Sequence, residues 1–254
     1  MDRQLSKQCW EVLECEKSVT KSFSVALENG DSISALIYPA DRKHQIKTTL
    51  ILGHGAGASQ THPFMTTFAN GFSKRGIDII TFNFLFTERK RRAPDPKAKL
   101  EACYRSTILA ARRQMTGKCD RLIVGGKSMG GRIASQVIAA DSEAGLNTAD
   151  GVVFLGYPLH PPGRPEKLRD SHLPNITVPI LFVQGSRDTF GTPEELQPVI
   201  ERCHRASLHV VENGNHSLKV KGTIAAPDVD PYSEVQLAIL DWIKLLTSGT
   251  DTHG

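Results

Sequence analysis

Short runs of Val, Ile, Leu and Phe recur along the chain, each bounded by Gly, Pro or Asn and separated by longer stretches with apolar residues three and four apart. Strand side chains alternate faces, whereas helical ones return to the same face about every 3.6 residues, so this pattern predicts strands joined by crossover helices. Strands are expected at Lys21 to Leu27, Ser32 to Pro39, Thr48 to Gly53, Asp78 to Phe84, Arg121 to Gly125, Gly151 to Tyr157, Pro179 to Gly185 and Ser207 to Glu212. The first two alternate in polarity around the turn signal Glu28-Asn29-Gly30-Asp31, as an antiparallel edge hairpin with one wet face would. Later runs such as "GVVFLGY" and "PILFVQG" are nearly all apolar, the mark of strands covered on both faces.

Helices are expected at His62 to Arg75, Lys97 to Met115, Met129 to Ala140, Pro193 to Arg202 and Pro231 to Leu246. Pro193-Glu194-Glu195 suits a first turn, where proline's missing N–H is harmless and the helix dipole favours acids. The stretch "PLHPPGRPEKLRDSHLPNITV" is proline-rich, polar and too short for a helical lid, which predicts an open site. Residues 1–254 are expected to form one domain, with 1–17 an N-terminal extension and 247–254 a flexible tail.

Composition narrows the class without naming a chemistry. The chain is 39% hydrophobic and 23% charged, and its net charge of +4 is too mild and too dispersed to imply a nucleic-acid partner. Five scattered cysteines without a C-x-x-C pair argue against a disulfide framework or a metal site, and no cofactor is called for. "MDRQLSKQCWEVLECEKS" lacks the apolar core of a signal peptide, and no stretch approaches a membrane span. The expected location is the cytoplasm or the nucleus, where the Asn175-Ile176-Thr177 sequon goes unglycosylated.

The nonapeptide "VGGKSMGGR", Val124 to Arg132, carries two competing signatures. Read as a phosphate loop, it needs a glycine five positions before Gly126, and that position is Arg121, inside the strand "RLIVG". Read as G-x-S-x-G it needs a strand, a sharp turn with small residues two places either side of the serine, and a helix directly after; Gly126, Ser128 and Gly130 meet it. Downstream, Asp188 follows the strand "PILFVQG" 60 residues on, and His216 follows "SLHVVE" 28 residues further. Nucleophile, acid and base in that chain order, each just beyond a strand's carboxyl end, are the arrangement of an α/β hydrolase. An anion hole then needs two backbone N–H groups. Met129, directly after the serine, supplies one, and the small-residue loop "GHGAGASQTH" supplies the other, at Ala56 first and Gly55 second.

Other candidates are secondary. His54 and His62 sit in the anion-hole loop, to orient it first and to bind substrate second, and His160, after a strand near the expected site, reads as a structural residue first and a substrate contact second. The run Arg89-Lys90-Arg91-Arg92 reads as a solvated loop, as a cleft lining in which Arg91 or Arg92 meets an anionic substrate, or as a targeting signal.

Together "LGHGAGAS", "FNFLFTERKRRAPDP", "GGKSMGGR", "GYPLHPPGRPEKLR", "QGSRDTFGTPEEL" and "GNHSL" resemble the KANL/Tex-type α/β-hydrolase-like family, related to dienelactone hydrolases. The resemblance spans about residues 50 to 218 and implies an α/β-hydrolase fold with Ser128, Asp188 and His216 as a triad. It names no substrate, and some members of that family serve as subunits of chromatin complexes. The expectation is thus a lidless α/β hydrolase, with a mostly parallel sheet of about eight strands and helices on both faces. Small carboxylic esters or thioesters are its expected substrates. The rival expectation is a non-catalytic subunit with a protein-complex partner.

Overall fold

The computed structural model describes residues 20–220 and 230–248; the expected extension at 1–17 and residues 249–254 of the expected tail lie outside them. Eight strands form one sheet in the order β1-β2-β4-β3-β5-β6-β7-β8. Outermost on one side is the predicted hairpin, β1 (Lys21–Ala26) and β2 (Ser32–Tyr38), antiparallel with Lys21 opposite Ile37. Its turn closes through Leu27 N–H to Asp31 O (2.8 Å) and Gly30 N–H to Leu27 O (3.0 Å), with Gly30 at φ +84°. β2 also pairs antiparallel with β4 (Ile77–Phe82). From there β3 (Thr48–Gly53), β5 (Arg121–Lys127), β6 (Gly151–Leu155), β7 (Ile180–Gly185) and β8 (Ala206–Val211) continue in parallel.

Every residue of β3, β4, β6 and β7 is buried, because helices cover both faces. One apolar core holds Ile51, Phe82, Val124, Phe154 and Phe182 under α3 (Lys97–Gln114) and α4 (Met129–Glu143). The other holds Leu50, Ile79, Val153 and Leu181 under α1 (Pro63–Lys74) and α6 (Ser233–Ser248). The alternation within one strand, Leu50 to one core and Ile51 to the other, is the period-two pattern of a sheet. α5 (Pro193–Ile200) starts at a capping box, with Thr192 Oγ1 accepting from Glu195 N–H and Glu195 Oε2 from Thr192 N–H.

Differences from the sequence reading concern element ends. β4 stops at Phe82 rather than Phe84, because the N–H groups of Asn83 and Phe84 turn to Ser34 O and to the His54 ring. β6 stops at Leu155, since Gly156 turns to φ +68°. β5 runs two residues past Gly125, and α6 reaches Ser248 instead of Leu246. A four-residue helix, α2 (Leu85–Glu88), was not expected; one turn is too short to show periodicity. Between β6 and β7 only the 3₁₀ turn Leu173–Asn175 interrupts irregular chain, as expected for a fold without a lid.

Close strand packing leaves no space for a side chain at Gly125, where a Cβ would be driven into the Val153 carbonyl. Gly125→Ala should therefore lower stability by about 2–4 kcal/mol, read as a reduced urea midpoint, because backbone atoms cannot repack around an added methyl.

Candidate functional site

The elbow follows from three glycines. β5 ends at Lys127, the chain reverses at Ser128, and α4 begins at Met129. Ser128 holds φ +51° and ψ −114°, a conformation unfavourable for a side chain by about 1–3 kcal/mol. Cβ atoms on Gly126 or Gly130 would collide with the Gly53 carbonyl, and one on Gly131 would stand 2.7 Å from Gly126 O. Glycine at these positions lets the end of β3 lie directly on the turn. Tyr104, fully buried on α3, braces the pair of strands: its hydroxyl donates to Gly125 O (2.6 Å) and accepts from Gly125 N–H (2.9 Å).

The loop after β7 carries Asp188, 1% exposed. Gln184 holds that loop: its Nε2 donates to Asp188 Oδ2 (2.8 Å) and Gly191 O (2.6 Å), while its Oε1 accepts from Tyr157 N–H (2.8 Å). Phe190 N–H donates to Asp188 Oδ1 (2.9 Å). The loop after β8, turning at Asn213 with φ +57°, carries His216. His216 Nδ1 lies 2.8 Å and 3.0 Å from the two Asp188 oxygens, and Nε2 lies 2.8 Å from Ser128 Oγ. An ionised carboxylate only accepts, so Nδ1 carries the proton and Nε2 is left to accept from the serine hydroxyl. Phe190 stacks on the imidazole with centroids 4.1 Å apart and 27° between planes.

Beside Ser128 opens a pocket of about 320 Å³ whose wall includes Gly55, Ala56, His62, Phe64, Met65 and Phe190. Met129 is the first residue of α4, where an N–H has no acceptor within the helix. The structure thus brings Ser128, Asp188, His216, Met129, Gly55 and Ala56 to one rim of the sheet.

The substrate-binding alternative is corrected at four positions, where His54 takes the orienting role, His160 the structural one, and Arg91 and Arg92 that of an exposed loop. His54 is fully buried behind the loop: its Nδ1–H donates to Gly55 O (2.7 Å) and its Nε2 accepts from Phe84 N–H (3.2 Å). Burial holds its pKa down at about 4, so the ring stays neutral as a loop brace. Arg91 and Arg92 do not line the pocket; α2 carries the chain past it, and Arg91 pairs with Asp95 at 2.7 Å. His160 is buried away from it, its Nδ1–H donating to Pro161 O (2.9 Å) with Glu195 3.3 Å from Nε2. His62 does line the pocket, and its Nδ1 also caps α1 by accepting from Phe64 N–H (3.2 Å). Among the described residues no cluster of three or more His, Cys, Asp or Glu could hold a metal ion, and no helix is long and apolar enough to cross a membrane.

Sequence reasoning passed over Gln184, Phe190, Tyr104 and Lys127. Gln184 left a trace, as the one polar side chain in "ILFVQG", and so did Lys127, a charge closing a buried strand. Tyr104 falls on the apolar stripe of α3, and nothing in that pattern marks its hydroxyl.

These features define a class. The alpha/beta hydrolase domain model matches residues 46–244, and the chain belongs to that family. It is similar in fold to a lidless α/β serine hydrolase of Xanthomonas campestris, with TM-score 0.63 and 17% identity over 87% of this chain and 94% of that one. A dienelactone hydrolase of Anabaena variabilis matches with TM-score 0.68 and 15% identity over 90% and 98% of the two chains. Est1E of Butyrivibrio proteoclasticus, solved with ferulic acid bound, matches with TM-score 0.67 and 11% identity over 89% and 99%.

His54 titrates near 4 when folded and near 6.5 when unfolded, so between these values the unfolded chain binds more protons. The stabilisation is complete above about pH 6.5 and lost progressively as the pH falls to about 4. His172, held at about 4 by burial with Lys97 and Arg132 adding to the effect, acts in the same direction. His54→Gln should flatten this pH dependence by about 3 kcal/mol between pH 7 and 4 in urea titrations.

Proposed function

We propose that the protein is a serine hydrolase cleaving small carboxylic esters or thioesters. The observation that carries the reading is the continuous chain from Ser128 Oγ to His216 Nε2 (2.8 Å) and from His216 Nδ1 to Asp188 (2.8 Å), beside a pocket at the serine. Ser128 Oγ attacks the acyl carbon while His216 Nε2 takes its proton. The tetrahedral oxyanion is held by the N–H groups of Met129 and Ala56, with Gly55 the alternative donor on the loop. The protonated imidazole then returns its proton to the departing alkoxide or thiolate, leaving an acyl-enzyme. Water, deprotonated by the same imidazole, releases the acid and restores the serine. Asp188 fixes the tautomer and stabilises the transient imidazolium.

The pocket favours acyl groups of modest size. Its volume is at the small end for ligand sites, and its wall is mostly apolar, with Ala56, Phe64, Met65 and Phe190. The known chemistries of similar folds, a lidless serine hydrolase and a dienelactone hydrolase, point the same way. The KANL/Tex-type motifs support a second reading, a non-catalytic subunit of a protein complex.

A fluorophosphonate probe decides between the two. The wild type should be labelled and should turn over p-nitrophenyl acetate, whereas Ser128→Ala should do neither. His216→Ala and Asp188→Asn should lower kcat by about 10³- to 10⁴-fold. Folded wild-type protein that takes up no label and hydrolyses no ester or thioester would overturn the hydrolase reading in favour of the subunit.

Gln184→Leu is the subtler test. It preserves volume but leaves Tyr157 N–H and Gly191 O unpaired and frees Asp188, so kcat should fall by about 10- to 100-fold with little change in KM.

A further inference from the structure

The nucleophile's strand ends on a charge that the chemistry above does not use. Lys127, the last residue of β5, is 8% exposed, and its Nζ is enclosed with no hydrogen-bond partner among the described residues. Its stem passes the loop after β3: Cγ lies 3.8 Å from where a Gly55 Cβ would stand, and the residue lines the pocket. Its ammonium runs to the base. The point where Gly156 would carry a Cβ is 3.2 Å from Lys127 Nζ and 3.4 Å from His216 Nδ1, so the missing side chain lets the two groups share that space. Phe64 closes the far side, its ring centroid 5.8 Å from Nζ.

A buried ammonium without an acceptor is costly, and an unbranched apolar side chain would fill the same volume without that cost. The electrostatic partner of Lys127 is Asp188, the carboxylate that also holds His216. We propose that Lys127 is a positioning residue for the hydrolase chemistry inferred above, its ammonium acting through the Asp188–His216 pair to keep the imidazole free of a second proton at lower pH than the pair alone would. The inference rests on that reading of Ser128.

The signs are opposed and separable. A carboxylate bonded to the ring favours the imidazolium, whereas a cation near the same Nδ1 edge disfavours it. Burial lowers the lysine's pKa to about 8, with Asp188 acting in the opposite direction, so the ammonium is charged throughout the range in which an imidazole titrates. The titratable groups around this space are Asp188 after β7, His216 after β8 and His62 at the head of α1; Phe64, Gly55 and Gly156, from the remaining neighbouring segments, carry no charge.

The test is the pH dependence of fluorophosphonate labelling between pH 5 and 8, which follows the free imidazole without involving a substrate. Lys127→Met should move the acid limb upward by about one pH unit, and Lys127→Arg should restore it toward the wild-type position. In a Ser128→Ala background, the NMR titration of the His216 ring should show the same upward shift on Lys127→Met, a change that loss of packing alone does not produce. Coincident limbs and coincident ring titrations in the wild type and Lys127→Met would overturn the inference while leaving the hydrolase reading intact. Absence of any labelling of the wild type would overturn both.

Discussion

The contact between the end of β3 and the nucleophile turn is the constraint on which the rest of the site depends. Gly53 lies so close to Gly126 and Gly130 that a single methyl on either would strike its carbonyl. This apposition places the loop carrying Gly55 and Ala56 alongside Ser128. Were the two strand ends further apart, the N–H groups of that loop and the Ser128 hydroxyl could not face one point in the pocket. The sheet's register supports it, with Gly53 paired to Gly126 on β5 and to Phe82 on β4.

Holding Ser128 at positive φ costs conformational energy, and the surroundings over-determine it. Its N–H bonds Leu155 O (3.2 Å), and the Arg132 N–H closes the first turn of α4 on its carbonyl (3.0 Å). Two of the loops that converge on it, and the strand that leads into it, are each held by a buried polar side chain. His54 links the β3 loop to the chain after β4, Gln184 links the acid loop to the chain after β6, and Tyr104 locks β5 from beneath. Such groups are effective because each is fully satisfied in a low-dielectric interior, where a broken bond is penalised heavily. The geometry of the Ser128–His216–Asp188 chain therefore depends on residues outside the pocket.

Much of this was legible along the chain, because period-two and period-3.6 patterns survive wherever an element buries one face or two. All eight strands and the five long helices could be read that way, and the chain order of Ser128, Asp188 and His216 brought three strand ends together. The four-residue α2 was not legible, and beyond it Arg91 and Arg92 stand exposed as a solvated loop, outside the pocket that charge patterning offered them as an alternative. His54 and His160 show a second limit. Proximity to a strand end says that a side chain is near the site, whereas its facing inward or outward is decided by packing against rings such as Phe84 and Phe86. Tyr104 was invisible because an amphipathic stripe records the ring and not its hydroxyl.

The uncovered chain between β6 and β7 has a kinetic consequence. With one 3₁₀ turn in place of a helical cap, nothing in this segment must swing aside before a molecule enters or leaves. Under the proposed hydrolase chemistry, this open segment leaves water a path to the serine in both halves of the reaction. In that reading selectivity comes from the fit of the acyl group against Phe64, Met65 and Phe190.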